Sequence, residues 1–213
     1  MPARFTKQPK ASTGLPMNVI LLGDPAAGKA TQAGMLVKKF GLYDLDMGLE
    51  LNKLRAKSLQ VDGVLAKSTD KGNLAPTKIV HDIFRDIITS VPKDQGILFD
   101  GTPKMLNEAK LVIRLLKKYG RAMPVVLYIT IPLEETVQRM HKRNGYDTGK
   151  FGKRVDDSVE ALKNRARYYR RNVSAVVGYL ESEFPYKKIS GVGSKGDVQK
   201  RVLEAIKQLT KFK

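Results

Sequence analysis

Two kinds of stretch alternate along the chain. Short apolar runs recur at Met17–Leu22, Gly96–Phe99 and Val125–Ile131, each short enough to be a strand of a covered sheet, and Tyr43–Asp46 and Tyr186–Ile189 read as further short strands. Between them lie stretches with apolar residues at helical spacing. Lys29–Phe40 puts Ala33, Leu36, Val37 and Phe40 on one face. Leu49–Lys57, Thr77–Ile88 (opened by Pro76), Asn107–Tyr119 (stopped by Gly120), Glu134–Arg143, Val159–Glu181 and Asp197–Leu209 read as further helices. The stretch "NGYDTGKFGK", residues 144–153, is polar and glycine-rich and reads as a loop or lid. No internal repeat is visible. Strands alternating with helices predict an α/β fold, a parallel sheet covered on both faces.

Composition narrows this picture. With 213 residues the chain can build one good core with small appended lobes. Its 42% hydrophobic and 28% charged content suit a soluble globular protein. The absence of cysteine excludes disulfides, zinc–thiolate sites and thiol chemistry. His81 and His141 stand in no metal-ligand spacing. No apolar stretch is long enough to span a bilayer, so no membrane partner is expected. Residues 1–16, "MPARFTKQPKASTGLP", are basic without an apolar centre and read as a flexible tail rather than a secretory signal. A cytoplasmic, monomeric protein is the expectation. The net charge of +18 favours polyanionic partners, nucleotides or nucleic acid. A host proteome that is basic throughout accounts for it equally well.

The stretch "GDPAAGKATQ", residues 23–32, follows directly on "MNVILL". Gly23 to Lys29 has the spacing G-x-x-x-x-G-K, placed between a strand and a helix. The backbone N–H groups of 24–31 and the helix N-terminus can cradle phosphates there, and Lys29 can track their β/γ oxygens. Lys29 is expected to face solvent when the loop is empty. Ala30 occupies the usual hydroxyl slot, and the hydroxyl comes one residue later, at Thr31. "LFDGTPK", residues 98–104, ends a buried strand on Asp100, a carboxylate suited to magnesium beside a phosphate loop. "GNLAPTK", residues 72–78, is a turn entering a helix; "RMHKRN", 139–144, opens the polar loop, and "KRVDDSVEALKNRARYY", 153–169, closes it. On that last helix the spacing of Arg167, Arg170 and Arg171 allows a solvent face.

Together these motifs resemble the adenylate kinase family of nucleoside monophosphate kinases, from about Asn18 to the last helix. The family's G-x-P-G-x-G-K-G-T-Q stands here as Gly23-Asp24-Pro25-Ala26-Ala27-Gly28-Lys29-Ala30-Thr31-Gln32, so the displaced threonine is a family trait. Its D-G-F-P-R stands as Asp100-Gly101-Thr102-Pro103-Lys104, and its G-K-L-V-P as Gly72-Asn73-Leu74-Ala75-Pro76. Its lid arginines match in order as Arg139, Arg143, Arg154 and Arg165, and "ISGVGS", 189–194, resembles the loop under the donor adenine.

The resemblance implies a P-loop kinase fold over 17–213, a five-stranded parallel sheet flanked by helices. It adds a small helical acceptor-binding lobe, about 46–78, and a lid of short to intermediate length, about 139–157. The implied reaction is reversible transfer of the γ-phosphoryl group of Mg-ATP to a nucleoside monophosphate. Lys29, Arg139, Arg143, Arg154 and Arg165 would carry catalysis. Residues 23–31 (Gly23, Asp24, Pro25, Ala26, Ala27, Gly28, Lys29, Ala30, Thr31), with Arg139, Arg143 and Gly193, would bind ATP. Asp100 would hold Mg2+ through water. On the acceptor side the matching positions are Met47, Gly48, Asn52, Leu74, Ala75, Gly101, Lys104, Glu108, Arg154 and Arg165.

Departures from the pattern concentrate on that acceptor side. The family's S-T-G-D-x-L-R aligns with Asp46-Met47-Gly48-Leu49-Glu50-Leu51-Asn52. Met47 stands for the threonine that helps place the acceptor base. Asn52 and Lys104 stand for arginines, and Glu108 for the glutamine that reads adenine. Arg55 shares a helical face with Asn52 and is the expected substitute grip on the acceptor phosphate. Glu108, able only to accept hydrogen bonds, suits guanine or cytosine better than adenine. An alternative reading is a catalytically weak ATP-binding relative acting as a basic nucleic-acid- or assembly-associated module.

Overall fold

The computed structural model describes residues 17–66, 75–146 and 159–210, with the backbone alone at 59–61, 66, 143–146, 159–162, 164, 165 and 168. Five strands form one sheet: β1 (Val19–Gly23), β2 (Tyr43–Asp46), β3 (Ile97–Asp100), β4 (Val125–Thr130) and β5 (Tyr186–Ser190). All pair in parallel, in the order β2-β3-β1-β4-β5. Every residue of β1 is buried, which explains why its sequence is a continuous apolar run rather than an alternating one. Ile20 pairs with Phe99 of β3 and Val126 of β4, so this strand carries the sheet's centre.

Helices cover the two faces. On one side α1 (Lys29–Phe40) and α8 (Lys195–Thr210) pack Ala33, Leu36, Val198, Val202, Ala205 and Ile206 onto Val19, Leu21, Leu98, Leu127 and Ile129. On the other side lie α4 (Thr77–Ser90), α5 (Leu106–Lys118) and α7 (Val159–Glu183). Their Phe84, Ile87, Val112, Leu116, Val173, Val176 and Leu180 meet Ile20, Leu22, Leu45, Phe99 and Val126. Neighbouring residues of each strand thus serve opposite cores, as the pleat requires. Arg121, only 7% exposed, donates to the carbonyls of Ile88, Gln95, Val91 and Pro92, satisfying the end of α4 and the turn after it.

Two further helices, α2 (Met47–Lys57) and α3 (Leu59–Ala66), stand in the region expected to be the acceptor lobe, and α6 (Leu133–Tyr146) leads toward the expected lid. Sequence periodicity missed α3. It also started α2 two residues late, because Asp46 caps the helix: its Oδ1 accepts from the N–H of Gly48 and of Leu49. Residues 147–158, which include most of the expected lid, and residues 67–74 of the expected lobe lie outside the described residues. Among the described residues no helix is long and apolar enough to cross a membrane.

Candidate active site

The strand order turns at β1, whose neighbours β3 and β4 come from opposite directions of winding. A crevice therefore opens at the carboxyl ends of these strands, where open α/β sheets bind ligands. The phosphate loop begins there. Gly23 passes so close to β4 that a Cβ would lie 2.3 Å from the Ile129 carbonyl oxygen, so no other residue fits. Gly28 takes φ +88° to turn the chain into α1, placing the helix N-terminus at the loop's mouth. Ala26 adopts φ +57°, a left-handed conformation where the family pattern has glycine.

Lys29 does not face solvent as expected. Its Nζ donates to the carbonyls of Gly23 and Asp24, 2.9 Å each, and sits 5.7 Å from the Tyr169 ring centroid. An ammonium between carbonyls and an aromatic face needs no water, so the loop's own backbone holds the lysine where phosphate oxygens would go. Ala30 and Thr31 are exposed at the start of α1.

Asp24 points the other way, into the protein. It is 1% exposed and accepts from Tyr128 Oη, Thr130 Oγ1, the Ile131 N–H and the guanidinium of Arg170. Burial works to raise its pKa, but the Arg170 and other hydrogen bonds outweigh it and hold the carboxyl below its ordinary value. Arg170 was expected on a solvent face; it is instead paired, and this is a correction. Ala166, Arg170 and Val173 follow one another at i, i+4 and i+7, and Ala166 and Val173 are buried. That spacing puts Arg170 on the inward face of α7, a signal legible in the sequence.

Asp100 ends β3 beside the loop, and a Cβ on its neighbour Gly101 would lie 3.7 Å from Lys29 Cε. Asp46 lies opposite Asp100 in the register of β2 and β3. Burial first, then repulsion from Asp44 and Asp46, pushes Asp100 up to about 6, against the pull of Lys29 and Lys104. Asp44 rises to about 6 from burial and Asp46. Its Oδ1 is buried with no hydrogen-bond partner. Hard carboxylate oxygens under mutual repulsion fit a magnesium ion that arrives with phosphates. Among the described residues no group of three or more acidic or histidine side chains forms a metal cage.

The donor loop also reaches this crevice. At Gly191 a Cβ would lie 3.1 Å from the Ala27 carbonyl oxygen, so residues 189–194 run alongside the phosphate loop. Arg139 on α6 donates to the Gly191 carbonyl at 3.2 Å and to Glu135 at 2.7 Å. Arg201 Nη1 donates to the carbonyls of Ser190 and Val192 and fixes the same loop. Gly193 is exposed, with φ +108°. The side chains of Arg143 and Arg165, and the whole of Arg154 and Leu74, lie outside the described residues.

On the acceptor side Met47 is 8% exposed and packs into the core, so its side chain takes no part in polar recognition. Gly48 and Asn52 are exposed on α2; Arg55 is 3.7 Å from Asp62, linking α2 to α3. Ala75 is half-buried before α4, and Lys104 is exposed. Glu108 is 5% exposed and its Oε2 accepts from the N–H of Lys104 and of Met105. It therefore caps its own helix, a role the sequence reading did not foresee.

The family model for adenylate kinase matches residues 21–184. An adenylate kinase of Phocaeicola vulgatus is 28% identical over 193 residues, 91% of this chain and all of that protein. That of Jannaschia sp. is 32% identical over 192 residues, covering 89% of this chain and 99% of the relative. That of Thermus thermophilus is 29% identical over 188 residues, 88% and 96% of the two chains. Sequence match, parallel sheet and phosphate-loop crevice agree: the chain belongs to the adenylate kinase family of ATP-dependent nucleoside monophosphate kinases.

Proposed function

We propose that the crevice reversibly transfers the γ-phosphoryl group of Mg-ATP to a nucleoside monophosphate, with an acceptor preference shifted away from adenine. The reading rests chiefly on the phosphate loop at the sheet's switch point, with Lys29, Asp100 and the 189–194 loop around one opening. Phosphoryl transfer asks for in-line placement, charge neutralisation and exclusion of water more than for covalent help. The N–H groups of 24–31 and the α1 N-terminus bind the donor phosphates. Lys29 leaves its two carbonyls for β/γ oxygens. Asp100 is the residue that would hold magnesium, which would offset phosphate charge. Arg139, Arg143, Arg154 and Arg165 close over the transferring group, and an arginine in such a role is worth roughly 10³–10⁵ in rate. The family match favours this enzyme over a catalytically weak ATP-binding relative acting as a basic module.

Acceptor choice follows from Glu108. Its Oε2 is committed to the α5 N-terminus, so Oε1 is the oxygen left to read an acceptor base. A carboxylate oxygen can accept from the amino group or N1–H of guanine or from the amine of cytosine, and it repels the N1 lone pair of adenine. Incubating the protein with Mg-ATP and equimolar AMP, GMP, CMP and UMP tests both parts. Diphosphate should form, with GMP or CMP used at least as well as AMP. A strong preference for AMP refutes the Glu108 assignment while leaving the kinase intact. No diphosphate from any acceptor refutes the function.

A further inference from the structure

Arg170 makes a set of contacts that phosphate binding alone does not require. Its Nε donates to Asp24 Oδ1 at 2.9 Å and its Nη2 to Oδ2 at 2.8 Å, a two-pronged pair with a carboxylate 1% exposed. The same Nη2 donates to the Ile131 carbonyl at 2.7 Å, at the point where β4 hands over to α6. The preceding residue on α7, Tyr169, lays its ring toward Lys29. One turn of α7 thus touches the phosphate loop twice and the root of α6 once. A carboxylate within a phosphate-cradling loop would repel the donor unless it were neutralised, and Arg170 neutralises it in a geometry that lysine cannot copy.

Arg165 lies five residues earlier on the same helix, about 7.5 Å along its axis. α6 and α7 are the two helices that flank the segment expected to be the lid. We propose that Arg170, through Asp24, is a positioning residue that locks the phosphate loop to α7, the helix that carries Arg165, so that donor binding and the placement of Arg165 are mechanically one event. The inference rests on the proposed phosphoryl transfer. It assigns Arg170 no contact with substrate.

The test uses the full chain as wild type, Asp24→Asn, Arg170→Lys, Arg170→Met and the double variant Asp24→Asn/Arg170→Met. Steady-state kinetics with the best acceptor are paired with amide hydrogen exchange over 24–31 and 159–170, with and without Mg-ATP. Arg170→Met should lower kcat about tenfold to a hundredfold, the scale of an ångström's misplacement, while changing acceptor KM less than about threefold. Arg170→Lys, which keeps the charge but not the fork, should lose less, and it carries the comparison if Arg170→Met does not fold. The double variant should lose no more than the worse single one, since both remove one clamp. In the wild type Mg-ATP should slow exchange in both segments; in the variants it should slow the loop alone. A lowered melting temperature with kcat within about twofold of wild type overturns the inference and makes the pair merely structural. So does exchange that stays coupled in the variants. If the wild type transfers no phosphoryl group, the proposed function fails, and the exchange result alone decides the clamp.

Discussion

Ala26 keeps a left-handed backbone at φ +57° between a buried carboxylate and a glycine turn. A side-chain-bearing residue in that region costs roughly 1–2 kcal/mol, part of which glycine would return in unfolded-state entropy. Ala26→Gly should therefore stabilise the protein by about 0.5–1 kcal/mol, read as a higher denaturant midpoint, with kcat unchanged. Loss of stability would mean that the Ala26 methyl makes packing contacts worth more than the strain. The carboxylates beside the loop give a prediction of opposite character. Asp44 and Asp100 both have pKa values raised to about 6 from an ordinary 3.8. Each is held protonated more readily when folded, so the stability they contribute is present below about pH 4 and lost as pH rises through 6. Asp44→Asn removes a buried ionisable group facing Asp46. Its melting temperature should exceed the wild type's at pH 8 by more than at pH 4. An equal shift at both would place the effect in packing rather than charge. On the acceptor side, Arg55→Ala should raise acceptor KM well beyond donor KM, and Asn52→Arg with Lys104→Arg should lower it. An unchanged acceptor KM in Arg55→Ala would reduce Arg55 to its contact with Asp62.

At the scale of elements, α5 shows how a helix without a capping hydroxyl satisfies its first turn. Met105 at its N-cap has no hydroxyl to satisfy the first turn, so Glu108 supplies half of a capping box by reaching back to the Lys104 and Met105 N–H groups. Glu108→Ala should cost about 1 kcal/mol in unfolding free energy, whereas Glu108→Gln keeps a carbonyl acceptor and should cost less. An equal loss in both would mean that the charge, not the hydrogen bond, stabilises the helix. The elements themselves were largely legible: β1, β3 and β4 are apolar runs, β2 and β5 are short segments between helices, and α1, α4, α5, α7 and α8 carry an inward stripe. What escaped were features with no periodic signature. α3 is short, with apolar residues on no single face. Asp46 and Glu108 cap helices, and a capping carboxylate looks like a recognition residue until its N–H partners are known. Met35 and Met105, though apolar, are each 38% exposed and do not fill the core. Arg170 was readable, since Ala166 and Val173 mark its face, but an arginine among arginines suggests solvent unless a buried carboxylate is waiting for it.

For the whole molecule, the donor half and the acceptor half differ in kind. The donor half is assembled around one opening by β1, β3, β4, α1 and the 189–194 loop. The proposed acceptor half is α2 and α3, and Asn52 and Lys104 stand there in place of the arginines of the family pattern. Motif spacing made the first half readable because backbone geometry dictates it. The second depends on which side chains turn inward, and Met47 does so. The charge of +18 contributes attraction for anionic nucleotides that screening should weaken, so acceptor KM should rise with salt more steeply than kcat falls. The central claim is tested most directly by mixing the protein with Mg-ATP and each common nucleoside monophosphate and following diphosphate formation by chromatography, with Lys29→Ala as control. The account predicts diphosphate from at least one acceptor, GMP or CMP at least equal to AMP, and none above background with Lys29→Ala. Diphosphate formation that survives Lys29→Ala unchanged, or its absence with every acceptor in the wild type, would contradict it.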